Sequence, residues 1–245
     1  MGPLWLLVAE LLVVFLGVSL SFFVENLRER RSERRTCMLA LRGIADDLSA
    51  ELPTVEWLIS VYRPTAEAGE ALYLNWADLP DTAERPESVL YALHMGAPYT
   101  PARAHYEAAK TSGALAQLED EALQSSIAAV FEQQQGFLRE LSRFTVDFDF
   151  EFFRRLRPYI SYGRSTDTFE QRIVPGEGTM IGGITFTADG ASELKSDDVA
   201  RNSLYMMVIF RRHFAVQLEA YLRTVRELEQ TLRAVVTRSR RSGAA

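Results

Sequence analysis

Residues 3–24 read PLWLLVAELLVVFLGVSLSFFV, and residues 25–52 continue as ENLRERRSERRTCMLALRGIADDLSAEL. The first stretch holds 22 positions and one charge, Glu10. At 1.5 Å per residue it reaches about 33 Å, enough to cross a hydrocarbon core of about 30 Å. A cleaved signal peptide fits poorly. No basic segment precedes the apolar run, the run is too long, and FFVENLRERR offers no small-x-small cleavage site. The expectation is a retained, single-pass signal-anchor over 1–26. No helix breaker follows it. Leu27, Cys37, Met38, Leu41, Ile44, Leu48 and Leu52 form a partial apolar stripe, while Glu and Arg at helical spacing cover the other faces. The spacing predicts a juxtamembrane helix over 27–52, with Pro53 ending it or restarting the next.

Flanking charge orients the anchor. Arg28, Arg30, Arg31, Arg34 and Arg35 follow it and no Lys or Arg precedes it, so the positive-inside rule places the following domain in the cytoplasm of a bacterial inner membrane. The same arginines suit phospholipid headgroup contact, worth about 1 kcal/mol each. Glu10 is costly inside a bilayer and is a functional-site hypothesis by default. It could snorkel to the interface, hydrogen-bond a neighbouring helix, or face an oligomeric pore. Gly17 and Ser21 stand four apart, a small-xxx-small pair that lets two spans approach closely.

The rest of the 245-residue chain supports one sizeable helical domain, 27–245. A net charge of −6 argues against nucleic acid as the main partner. The single cysteine, Cys37, excludes an intramolecular disulfide and a cysteine-rich metal site. It could be acylated near the membrane or be an ordinary buried thiol. Thr54 to about Asn75 reads as a second helix interrupted near Pro64, residues 76–86 as a loop, and Glu87–Met95 as a short helix. Thr100 and Pro101 suit the start of a helix ending near Ser112, with Gly113 as its left-handed cap. Asp120 is a suitable N-cap for a long helix to about Leu141. In the aromatic run 144–160, Asp147, Asp149 and Glu151 superficially resemble a metal loop. Phe152 stands where an EF-hand needs glycine, and Pro158 where it needs glutamate, so an aromatic-rich packing helix is the simpler reading.

Residues 161–195 break the pattern. Six of the 14 glycines fall there, among β-formers in QRIV and GITFTA, which predicts a loop with a small β-hairpin near 165–190. GEGTMIGG lacks the Lys-Ser/Thr ending of a phosphate loop. Ser196 or Asp197 caps a last helix over 196–240. There Leu218, Leu222, Val225, Leu228, Leu232 and Val235 fall at near-heptad spacing, suiting either internal packing or a coiled coil between protomers. The fold class expected is mainly α: a transmembrane helix continuing into a helical bundle with a small β insert.

The span with its glutamate and polar exit, AELLVVFLGVSLSFFVENLRERRSER, resembles the start of an uncharacterised bacterial family of N-terminally anchored, single-span helical membrane proteins. HYEAAKTSGALAQLEDEALQSSIAAVFEQ is similar to that family's second signature through Tyr106, Glu107, Ser112, Gly113, Leu115, Leu118, Asp120 and Leu123. The resemblance implies an anchor and helical architecture and nothing catalytic. Members often carry a basic segment before the span, which this chain lacks. Such a segment favours the opposite orientation, with the domain in the periplasm.

No catalytic constellation stands out, and neither a cofactor nor a metal is expected. His94, His105 and His213 lack metal-ligand spacing. His105, Tyr106 and Glu107 with Arg103 form the nearest cluster, and they read more simply as a helix face. The expectation is a non-catalytic membrane-anchored scaffold or sensor that forms homo-oligomers through its span and long helices. The alternatives are an oligomeric channel with Glu10 in its pore, and an adaptor recruiting a soluble protein through 161–195.

Overall fold

Helix α1 runs without interruption from Pro3 to Leu74 in the computed structural model, which describes residues 3–79, 93, 96–162, 184–187 and 189–242. The side chains of residues 3–11, 13 and 14 lie outside that description. The helix passes through Pro53 and Pro64, where a break or restart is expected from sequence. Each proline removes one backbone hydrogen bond, at about 3 kcal/mol. Burial of Val55, Leu58, Tyr62 and Ala66 around them offsets that loss, at about 1.5–3 kcal/mol for each large side chain. The Thr65 hydroxyl donates to the Val61 carbonyl at 2.8 Å.

The other helices are α2 (Ala104–Thr111), α3 (Glu121–Ala128), α4 (Gln135–Leu156), α5 (Gly190–Lys195) and α6 (Asp198–Ser242). A π-helical turn, Ala129–Gln134, joins α3 to α4, so the helix expected to end near Leu141 extends to Leu156. The Asp197 carboxylate caps α6, accepting from the amides of Val199 (2.9 Å) and Ala200 (3.0 Å). Strands β1 (Ile160–Tyr162) and β2 (Ile184–Phe186) pair antiparallel, with Ser161 opposite Thr185. GITFTA thus holds one strand, whose partner is Ile160–Tyr162; QRIV lies outside the described residues, as does most of the helix expected over 87–95. Gly190 opens α5 tight against the Tyr159 carbonyl, where a Cβ has no room.

The chain forms two compact units. The first comprises residues 1–48, 103–127 and 228–245. Its core is Cys37, Leu41, Ile44, Leu48, Tyr106, Ile127 and Leu232, all buried. The second comprises residues 49–102 and 128–227. There α1 and α6 run antiparallel: Tyr205 meets Tyr73, and at seven-residue steps Arg212 pairs with Glu70, Glu219 with Arg63, and Arg226 with Glu56. One core cluster gathers Trp76, Leu93, Phe152, Leu156, Leu194, Leu204 and Met207. The near-heptad residues Leu218, Val225, Leu228 and Leu232 are buried within the protein, so that row serves internal packing.

Among the described residues, no helix is long and apolar enough to cross a membrane. Half of the 3–24 stretch, by side chain, lies outside those residues.

Candidate functional site

The N-terminal part of α1 is solvent-exposed where its side chains are described. Residues 12 and 15–36 are exposed along their whole length. The apolar section includes Phe15 (66% exposed), Leu20 (64%), Phe22 (72%) and Phe23 (62%). Gly17 and Ser21, with Val18, Phe22 and Glu25, line an open groove of about 410 Å³. A Cβ at Gly17 meets nothing within 4 Å, so the close approach such a pair permits is not used among the described residues. Glu10 lies in α1, and its side chain lies outside the described residues. The collar residues Arg28, Arg30, Arg31, Arg34 and Arg35 are all exposed. Arg34 reaches Glu119 at 3.3 Å, with both side chains more than three-quarters exposed, so that pair adds under about 1 kcal/mol. One turn further, Cys37 is buried and its thiol is pushed up by desolvation. A buried, protonated thiol is a poor nucleophile, which suits ordinary packing rather than acylation.

The middle signature is a helix–turn–helix. Tyr106 packs into the core with Arg103 over its ring at 5.7 Å, and Arg103 also pairs with Glu107 at 2.7 Å. Ser112 caps the end of α2, and Gly113 takes the left-handed conformation at φ 73°. Leu115 and Leu118 are half-buried in the connection. Asp120 then caps α3 by accepting from the Leu123 amide at 3.0 Å, and Leu123 is buried. Helix α2 starts at Ala104, not at Pro101. Its cap comes from Asp47 on α1, whose carboxylate accepts from the amides of His105 (2.8 Å) and Tyr106 (3.4 Å). Asp47 also meets His105 Nδ1 at 2.7 Å. Sequence order hides this cap, because donor and acceptor stand 58 residues apart.

Two buried polar clusters lie in the second unit. The Tyr99 hydroxyl donates to Glu51, as does the Tyr221 hydroxyl at 3.1 Å. Gln135, fully buried at the exit of the π-helical turn, donates to Glu51 at 3.0 Å and to the Tyr221 oxygen at 2.9 Å. Burial pushes both phenols far above their usual range, with the charge of Glu51 adding to it. In the second cluster, Arg211 is fully buried and grips Asp149 through Nε (2.8 Å) and Nη2 (2.7 Å). Nη2 also donates to the Leu93 carbonyl. The guanidinium lies 5.6 Å from the Tyr62 ring centre, and Tyr62 donates to the Ala97 carbonyl at 2.8 Å. Burial first, then the Asp149 charge, raises the Tyr62 phenol.

The acids of the aromatic run therefore part company. Asp149 points inward to Arg211, Asp147 is exposed, and Glu151 on the surface pairs with Arg154 and Arg155. No group of three or more metal-ligating side chains gathers among the described residues. No protein family, curated protein or solved structure matches this chain.

Proposed function

We propose that this protein is a non-catalytic, single-pass membrane-anchored scaffold or sensor that self-associates and presents a helical domain at a bacterial inner membrane. The observation that supports it best is the bare N-terminal part of α1. Eight large apolar side chains between Leu12 and Val24 stand more than half exposed. Holding them in water costs on the order of 10 kcal/mol, which a bilayer removes. The exposed arginine collar directly beyond them suits anionic headgroups. By the positive-inside rule the domain lies in the cytoplasm.

The non-catalytic part draws on where the polar groups go. Asp47, Glu51, Asp149 and Arg211 are spent on a helix cap, a hydrogen-bond network and an ion pair. Fractionation tests the anchor. The full chain is expected in the membrane pellet after alkaline carbonate washing, and a variant lacking residues 3–24 in the supernatant. Release of the full chain by carbonate refutes the anchor.

A further inference from the structure

The face of α6 turned away from the core of the second unit is apolar, and its residues are spaced for a coiled coil. Val199, Asn202, Met206, Ile209, His213 and Val216 follow one another at intervals of three, four, three, four and three. All six are exposed, at 53% for Val199, 40% for Ile209 and 50% for Val216. These are not the near-heptad residues that face inward, so α6 carries a second apolar seam. On one side of it, Tyr205, Arg212 and Glu219 are engaged with α1. On the other side stand phenylalanines of α4, with Phe137 edge-on to His213 at 6.4 Å and Phe148 stacked on Phe210 at 4.3 Å.

We propose that this seam pairs, parallel and in register, with the α6 seam of a second copy of this chain. The proposal rests on the self-association in the reading above and not on its membrane part. Alternating spacing of three and four is the pattern that another helix of the same spacing fills, knob into hole. The two polar seam residues choose which helix. Asn202 and His213 lose water on pairing, so each needs a polar counterpart. An identical helix in register puts Asn202 opposite Asn202 and His213 opposite His213. Charge agrees. In a parallel pair the flank holding Tyr205, Arg212 and Glu219 meets the partner's opposite flank, Ser203, Phe210 and Gln217, which is uncharged. Arg212 and Glu219 already pair with Glu70 and Arg63 of their own chain, so no like charges oppose each other.

The test uses the full chain in detergent at pH 8, with Cys37→Ser removing the native thiol. Ile209→Cys is expected to form a disulfide-linked dimer under mild oxidation. Phe150→Cys, 68% exposed on another face of α4, stays monomeric. In light scattering the parent chain is dimeric. Ile209→Asp and, separately, Val216→Glu weaken the dimer about 100-fold by burying an unpaired carboxylate. Unchanged helicity and a cooperative melting transition show that both variants fold. A dimer indifferent to both charges, or equal crosslinking at Phe150→Cys, overturns this interface and leaves self-association standing. A monomeric parent chain overturns both.

Discussion

Asp149 and Arg211 form a buried ion pair in the second unit, and their removal separates burial cost from attraction. Asp149→Ala leaves a guanidinium with no solvent exposure and no counter-charge, which costs about 3–5 kcal/mol. Arg211→Met leaves a carboxylate that is 12% exposed and strands the Leu93 carbonyl, with a loss of about the same size. The double variant Asp149→Leu with Arg211→Met removes both charges and refills their volume. It still leaves the Leu93 carbonyl orphaned, so its loss is expected to be about 1–3 kcal/mol. The single losses therefore sum to far more than the double loss. Urea unfolding of the detergent-solubilised chain, followed by circular dichroism, reads all three free energies. A double variant as unstable as the sum of the singles refutes the reasoning, as does either single variant losing less than about 1 kcal/mol.

The buried phenols predict an alkaline limit. Tyr62, Tyr99 and Tyr221 have folded-state values raised above the ordinary one near 10, so their stabilising contribution is intact below about pH 10 and is lost as pH rises above it. Stability is expected to fall by up to about 1.4 kcal/mol per pH unit for each phenol; a melting temperature flat from pH 9 to 12 contradicts this. Asp47→Ala removes the cap of α2 and is expected to cost about 0.5–2 kcal/mol. Hydrogen exchange at the His105 and Tyr106 amides should quicken about tenfold, and unchanged rates there refute the cap.

The mainly helical architecture was legible because its signals are local. Asp120, Asp197 and Gly113 act as caps or turns from their own neighbourhoods, and apolar spacing marks α4 and α6. What failed to read was settled at a distance. Pro53 and Pro64 look like breakers, yet packing around Tyr62 and Leu58 carries α1 through both. Pro101 looks like a helix start, but the carboxylate that caps α2 comes from Asp47. Arg211 gives no sign in sequence of its partner Asp149, 62 residues earlier. The near-heptad row from Leu218 drew attention to the seam the protein buries, while the exposed seam from Val199 to Val216 is diluted by Asn202 and His213.

Spin labels placed singly at exposed positions from Phe15 to Arg35, with a further label replacing buried Cys37, test the central claim in lipid nanodiscs. The account predicts collision with oxygen but not with a water-soluble nickel chelate at Phe15 to Val24. Access to nickel should appear from Arg28 to Arg35, and neither reagent should reach position 37. Nickel access throughout Phe15 to Val24 contradicts an anchored α1.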